Sequence, residues 1–182
     1  MAIEWDVRVE RAFTLEAVRS ATGSVLLDLL GLDEIPAVSV AELGPTGGLG
    51  TDLAPERLAT VHGPRSGEDD HVVLYLDGID AAVWVMTLDV GFAEDEECGV
   101  RCSVTCWRDA LSVVVGISAT IAIARVAGRR VWDESLLLGH ERINDPEVLL
   151  RTLRTYGASD LHTAARSVLA KTRVRLPSGL AE

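Results

Sequence analysis

The sequence predicts a single α+β domain in which a largely antiparallel sheet packs against two main helices and is followed by a C-terminal helical hairpin. The 182 residues are 48% hydrophobic and 25% charged, a balance typical of one globular domain. One strictly alternating segment opens the chain, and two segments with helical spacing lie on either side of several consecutive β-rich segments. Short links between consecutive strands favour an antiparallel meander over parallel crossovers.

The first two elements are a strand and an amphipathic helix. Apolar and charged residues alternate over residues 3–9, which predicts a half-buried strand with Glu4, Asp6 and Arg8 on its polar side. Thr14 is then a good N-cap, and apolar residues recur at helical spacing until Gly31 ends the helix.

Residues 32–70 have a weaker pattern. They contain four prolines and the glycine-rich stretch 44–50, so we expect an irregular segment with one short edge strand over residues 37–41. Prolines and acidic residues surround the glycines, whereas a phosphate-binding loop needs a strand before it and a helix after it.

Three β-rich segments follow, over residues 71–77, 82–90 and 100–107. Asp77-Gly78-Ile79-Asp80 separates the first two and predicts a hairpin, because Asp-Gly readily adopts the positive φ angles of tight turns.

Helices dominate the remainder. Asp109 is the expected N-cap of a long apolar helix that ends before Gly128, and its small residues Ser112, Gly116 and Thr120 allow close approach to a neighbour. A short strand is expected over residues 129–133. Residues 141–176 are predicted to form the helical hairpin, with one helix starting at Asp145-Pro146 and ending near Tyr156, and another running from Ser159 to about Thr172.

The charge balance excludes some classes of function. Seventeen basic residues oppose 28 acidic ones, for a net charge of −11, and such a field repels nucleic acids and anionic membrane surfaces. Residues 1–100 hold 5 arginines and 20 acidic residues, so an acidic recognition face belongs to the first half. Acidity can serve solubility alone. The alternative is a protein partner with a basic surface.

We expect a cytoplasmic protein that does not enter membranes. The first residues are acidic where an export signal would be basic and then apolar. The longest uncharged run covers the 15 residues 110–124, short of the ~20 that span a bilayer.

Neither a metal nor a cofactor is expected. Cys98, Cys102 and Cys106 are spaced by four, but on a strand Cys102 and Cys106 stand about 13 Å apart. Two thiolates bound to one zinc ion at ~2.3 Å cannot be more than about 5 Å apart. Buried cysteines that act as small apolar residues are the simpler interpretation.

No catalytic residue is predicted. The four histidines are scattered, although His140 with Glu141 and His71 with Asp69 and Asp70 remain possible acid–base pairs. The chain has no nucleophile elbow for serine hydrolase chemistry.

The candidate partner-binding residues are acidic clusters and one tryptophan. A charge run between two strands is ordinarily a solvated loop, but it can also dock a basic surface. A tryptophan beside acidic residues can anchor an interface, although a tryptophan at a strand end is more often packed in the core. The candidates are Glu94, Asp95, Glu96 and Glu97, extended by Asp69, Asp70, Asp77 and Asp80 if these share a loop edge, and separately Trp132, Asp133 and Glu134.

The opening residues 1–9, followed by Phe13-Thr-Leu-Glu-Ala-Val18, resemble the start of small cytosolic immunity proteins that accompany bacterial polymorphic or contact-delivered toxins. The later order of strands, an apolar helix over residues 110–127 and a short strand carrying Asp133 and Glu134 is also similar, so the resemblance covers about a third of the chain. It implies an α+β binding protein that inhibits a toxin by occluding its active site. The segment 32–70 departs from it.

The leading expectation is therefore a non-enzymatic, acidic immunity or antitoxin protein that binds a basic toxin partner. An accessory chaperone of a secretion system is the alternative, and it would bind a flexible segment and dimerise. An enzyme of unknown class is the third possibility, and a cleft that joins Asp133 or Glu134 to a histidine with a shifted pKa would favour it. The sequence leaves the oligomeric state open.

Overall fold

The computed structural model describes residues 2–63, 70–90, 99–107, 109–139 and 141–176. Within them the chain forms a single α+β domain, as predicted, around an eight-stranded antiparallel sheet of order β10-β9-β1-β8-β7-β6-β3-β4, with β2 and β5 paired separately. The strands are β1 Ile3–Arg8, β2 Phe13–Thr14, β3 Val38–Leu43, β4 Leu49–Asp52, β5 Val61–His62, β6 Asp70–Leu76, β7 Ala82–Val90, β8 Gly99–Cys106, β9 Val131–Trp132 and β10 Ile143–Asn144. The helices are α1 Leu15–Leu30, α2 Pro55–Leu58, α3 Ala110–Val126, α4 Pro146–Leu153 and α5 Leu161–Leu169.

The sheet is packed against helices on one face. Helices α1 and α3 form a layer that contacts the strands, and α4 and α5 pack on these two helices. Side chains that alternate toward this layer are buried, as Trp5 on β1 and Val104 on β8 illustrate, whereas Glu4 and Thr105 on the same strands point away and remain accessible. The outward residues of β9, β1, β8 and β7 are called the open face below.

Helix α3 lies very close to the sheet because its small residues permit it. A Cβ added at Gly116 would lie 3.1 Å from the Trp5 ring and 3.2 Å from the Cβ of Cys106. One turn earlier, the Ser112 hydroxyl accepts a hydrogen bond from the backbone N–H of Ala82, which starts β7. The predicted stripe of small residues therefore faces the sheet.

The predicted helix ends are largely confirmed. The side chains of Thr14, Asp109 and Asp145 accept backbone hydrogen bonds as N-caps, and Gly31 ends α1 with a φ of 61°. The last helix differs, since Asp160 rather than Ser159 is its cap. Helix α4 ends at Leu153, earlier than expected, and the backbone N–H of Thr155 bonds instead to the carbonyl of Leu29. Both C-terminal helices pack mainly on α3 and α1.

The described part of the segment, residues 32–63 and 70, is more ordered than predicted. It contains β3, β4, α2 and β5, and β3 is an inner strand between β6 and β4 rather than an edge strand. The glycine-rich stretch explains the difference: Gly47 adopts a φ of 80°, and the backbone of Gly44 bonds to that of Gly48, so the chain reverses and returns as β4.

Among the described residues, no helix is both long enough and apolar enough to cross a lipid bilayer.

Candidate partner-binding surface

The open face exposes large aromatic side chains. Trp107, directly after β8, is 56% exposed, and Trp132 on β9 is 41% exposed. Ile143 pairs with Trp132 across the last two strands and is 42% exposed. The ring of Trp84 lies edge-to-face with that of Trp107, with their centroids 5.4 Å apart. Partly exposed aromatic rings on a surface without a helical cover are typical of protein interfaces.

Strand register places a carboxylate between the two exposed tryptophans. Glu4 pairs with Thr105 and therefore lies diagonally across from Trp107, while Asp6 pairs with Trp132, so Glu4 also lies diagonally across from Trp132. Diagonal neighbours on one face of a sheet are ~7–8 Å apart, within reach of long side chains. Glu4, Asp6, Trp107 and Trp132 are called the tryptophan–carboxylate cluster.

The two carboxylates of the cluster have different surroundings. Asp6 accepts a short hydrogen bond from the hydroxyl of the fully buried Ser103 and lies 3.5 Å from the guanidinium of Arg101. Glu4 is exposed and has no hydrogen bond or ion pair to any residue in the described ranges. Asp6 is thus held by its own chain, and the carboxylate of Glu4 is accessible to a ligand.

The predicted acidic clusters do not form one edge. Asp77 and Asp80 are exposed in the turn between β6 and β7, whose Gly78 has a φ of 72°. Asp70 begins β6, at the opposite end of that seven-residue strand, about 20 Å away. Asp70 therefore shares no loop edge with Asp77 and Asp80, so the condition for joining these residues into one acidic cluster is not met. Asp69 and residues 94–97 lie outside the described residues, as does the side chain of Asp70.

The expectation that Asp133 faces a partner is also wrong. Its side chain is 0% exposed, and its Oδ2 accepts a 2.6 Å hydrogen bond from the backbone N–H of Leu138. Its own backbone N–H bonds to the carbonyl of Arg142, which leads into β10. Asp133 organises the loop after β9, while its neighbours Trp132 and Glu134 are exposed.

Folding cancels part of the charge asymmetry of the sequence. Carboxylates of the first half pair with arginines of the second half: Glu10 with Arg129 at 3.1 Å, and Asp28 with Arg154 at 2.9 Å. Apart from Glu4 on β1, the other exposed carboxylates of the first half that form no ion pair within the described ranges lie on or beside β3, β4 and the β6–β7 turn. They are Asp33, Glu34, Glu42, Asp52, Glu56, Asp77 and Asp80.

The opposite side of the molecule is rich in arginine. Arg11, Arg125, Arg129 and Arg130 line a cavity of about 360 Å³ beside the C-terminal end of α3, together with Asp145 and Glu147. The sheet order explains the separation, since strands of the first half form the β3–β4 edge and strands of the second half form the β9–β10 edge. Three of these arginines are paired, Arg125 with Glu147, Arg129 with Glu10 and Arg130 with Asp145, so the unpaired charge that remains is mainly that of the carboxylates on the β3–β4 side.

The described cysteines face the core. Cys102 and Cys106 are buried on the helix-facing side of β8. Burial, with a smaller contribution from the charge of Asp6, raises the pKa of Cys102 to about 12, so its thiol is protonated at neutral pH. Among the described residues, no group of three potential metal ligands comes together.

No family model matches the chain, and no curated protein or solved structure matches it.

Proposed function

We propose that the chain is a cytoplasmic, non-enzymatic binding protein of the immunity or antitoxin type that occludes a basic protein partner such as a toxin domain. The observation that carries the proposal is the pair of exposed tryptophans, Trp107 and Trp132, on a sheet face that no described helix covers. Large exposed aromatic side chains contribute disproportionately to binding energy at protein interfaces.

The unpaired carboxylates of the β3–β4 side support a basic partner. Unpaired carboxylates along the β3–β4 side create a negative field that accelerates encounter with a cationic surface and orients it. The outward residues of about four strands, at ~4.8 Å per strand, provide a few hundred Å², less than the ~800 Å² per partner of a standard interface. The partner is therefore expected to reach beyond the open face, toward this acidic side.

The test is protection of cells. The chain is co-expressed with each basic protein encoded beside it in its native genome, and growth is measured when that protein is induced. We expect growth to be restored by the wild-type chain and by Tyr156→Ala, which removes a 72% exposed aromatic residue beyond the end of α4. Trp132→Ala is expected to protect less. Failure of the wild-type chain to protect against, or bind, any such protein would contradict the proposal.

A further inference from the structure

We propose that the tryptophan–carboxylate cluster is a recognition site for one guanidinium group, which an arginine of the partner supplies. The inference deepens the proposed function by naming the chemical group that the open face binds, and it rests on that function for the source of the arginine.

The first argument is the placement of Glu4. Its carboxylate has no ion-pair partner among the described residues and projects from the strand between the two that carry Trp107 and Trp132. By strand geometry, the Cα atoms of these tryptophans are about 16 Å apart with Glu4 midway. An indole reaches several ångströms from its Cα. The Trp107 ring contacts Trp84 on the β7 side, so it offers its remaining exposed surface to a planar group seated at Glu4, and Trp132 borders that group from β9.

The second argument is chemical. A cation is attracted to the face of an indole ring, and a guanidinium can stack on that face while it donates two parallel hydrogen bonds to one carboxylate. An ammonium is a more strongly hydrated point charge and cannot form this bidentate arrangement. The combination of indole rings and a free carboxylate therefore favours arginine over lysine.

The third argument is that the polar groups beside Glu4 already have partners within the chain. Arg101 and Ser103 both contact Asp6, which holds that carboxylate against the sheet. Asp6 therefore contributes a fixed negative charge beside the site, and Arg101 is directed toward Asp6. A guanidinium that binds Glu4 displaces no ion pair between Glu4 and another described residue.

The experiment uses a hexa-arginine peptide with blocked termini as probe. Binding is followed by the indole N–H resonances of the chain, assigned with tryptophan-to-phenylalanine variants. We expect Trp107 and Trp132 to shift while the buried Trp5 does not. Because an exposed charge pair is worth up to about 1 kcal/mol, Glu4→Gln is expected to weaken binding about fivefold. Hexa-lysine is expected to bind more weakly and to shift these resonances less.

The matched control is Glu34→Gln, which removes one exposed carboxylate beside β3 and changes the net charge equally. Equal weakening by Glu4→Gln and Glu34→Gln, or shifts that do not involve Trp107 and Trp132, would overturn the site. The peptide test needs no partner. Selective peptide binding without cell protection would therefore support the guanidinium site and contradict the proposed function. If Glu4→Gln protects cells as well as the wild-type chain does, the proposed function would be supported and the guanidinium site contradicted.

Discussion

Trp132 and Asp133 are consecutive residues whose side chains point in different directions: Trp132 is 41% exposed on the open face, and the completely buried side chain of Asp133 accepts a hydrogen bond from Leu138 in the loop after β9. The alternation of an extended chain requires this separation. Trp132 is therefore a surface residue and Asp133 a structural one, so substitution of Asp133 should affect stability more than substitution at an exposed position.

Asp133→Ala is expected to lower the free energy of unfolding by about 2 kcal/mol, because the Leu138 N–H would be left buried without its acceptor. Urea denaturation measures the change. Glu134→Ala, at an exposed neighbour, is the control and should stay within about 0.5 kcal/mol of wild type. Equal effects of the two substitutions would contradict the structural role of Asp133.

Gly116→Ala is expected to lower the free energy of unfolding, and Gly23→Ala is expected to raise it. A methyl group at Gly116 meets the Trp5 ring at 3.1 Å and Cys106 at 3.2 Å, so α3 must move from the sheet, at a cost of about 1–3 kcal/mol. At Gly23 on α1 the nearest side-chain atom is 3.8 Å away, and the alanine should stabilise the helix by about 0.5–1 kcal/mol. Thermal unfolding of both variants distinguishes them. A neutral Gly116→Ala would mean that α3 is less closely packed than described.

Cys102 and Cys106 are expected to resist modification in the folded protein. In a Cys98→Ser variant, which leaves these two thiols, an aromatic disulfide reagent should react with neither at mildly alkaline pH and with both in denaturant. Burial excludes the reagent, and the raised pKa of Cys102, about 12, removes the reactive thiolate. Rapid reaction without denaturant would show that the inner side of β8 is accessible.

The contribution of Asp160 to stability should disappear in acid. Its carboxylate caps α5, and hydrogen bonds from the Thr163 backbone N–H and then from the Ser159 and Thr163 hydroxyls lower its pKa from 3.8 to about 2. Because the folded pKa lies below the unfolded one, the stabilisation is complete above pH 3.8 and is lost as the pH falls toward 2.

Asp160→Ala is therefore expected to be less stable than wild type at neutral pH, with a difference that shrinks as the pH falls through this range. Urea unfolding of both proteins across the acid range measures it. A difference that persists unchanged at the lowest pH would assign the effect to helix propensity rather than to the carboxylate.

Strong local signals allowed much of the fold to be predicted. The alternation over residues 3–9, the Asp-Gly turn at Gly78 and the N-caps Thr14, Asp109 and Asp145 are each decided within a few residues. Three strands that were not predicted, β2, β5 and β10, are only two residues long and so have no period to detect. The sheet order could not be predicted, because the position of β1 between β8 and β9 depends on contacts between distant segments.

The candidate surface was only partly predictable for the same reason. The alternation over residues 3–9 predicts that Glu4 points outward, and the acidic residues after Trp132 make it a candidate interface anchor. The position of Glu4 between Trp107 and Trp132 requires the register of β1 against β8 and β9. Charge counts along the sequence likewise could not anticipate that Arg129 and Arg154 neutralise Glu10 and Asp28 across the fold.

Affinity of the purified chain for the basic protein encoded beside it, measured by calorimetry, tests the central claim most directly. The account predicts tight binding by wild type, a loss of about thirtyfold or more with Trp132→Ala, and a change of less than about twofold with Tyr156→Ala on the helical side. No binding by wild type, or equal effects of the two substitutions, would contradict the assignment of the open face as the binding surface.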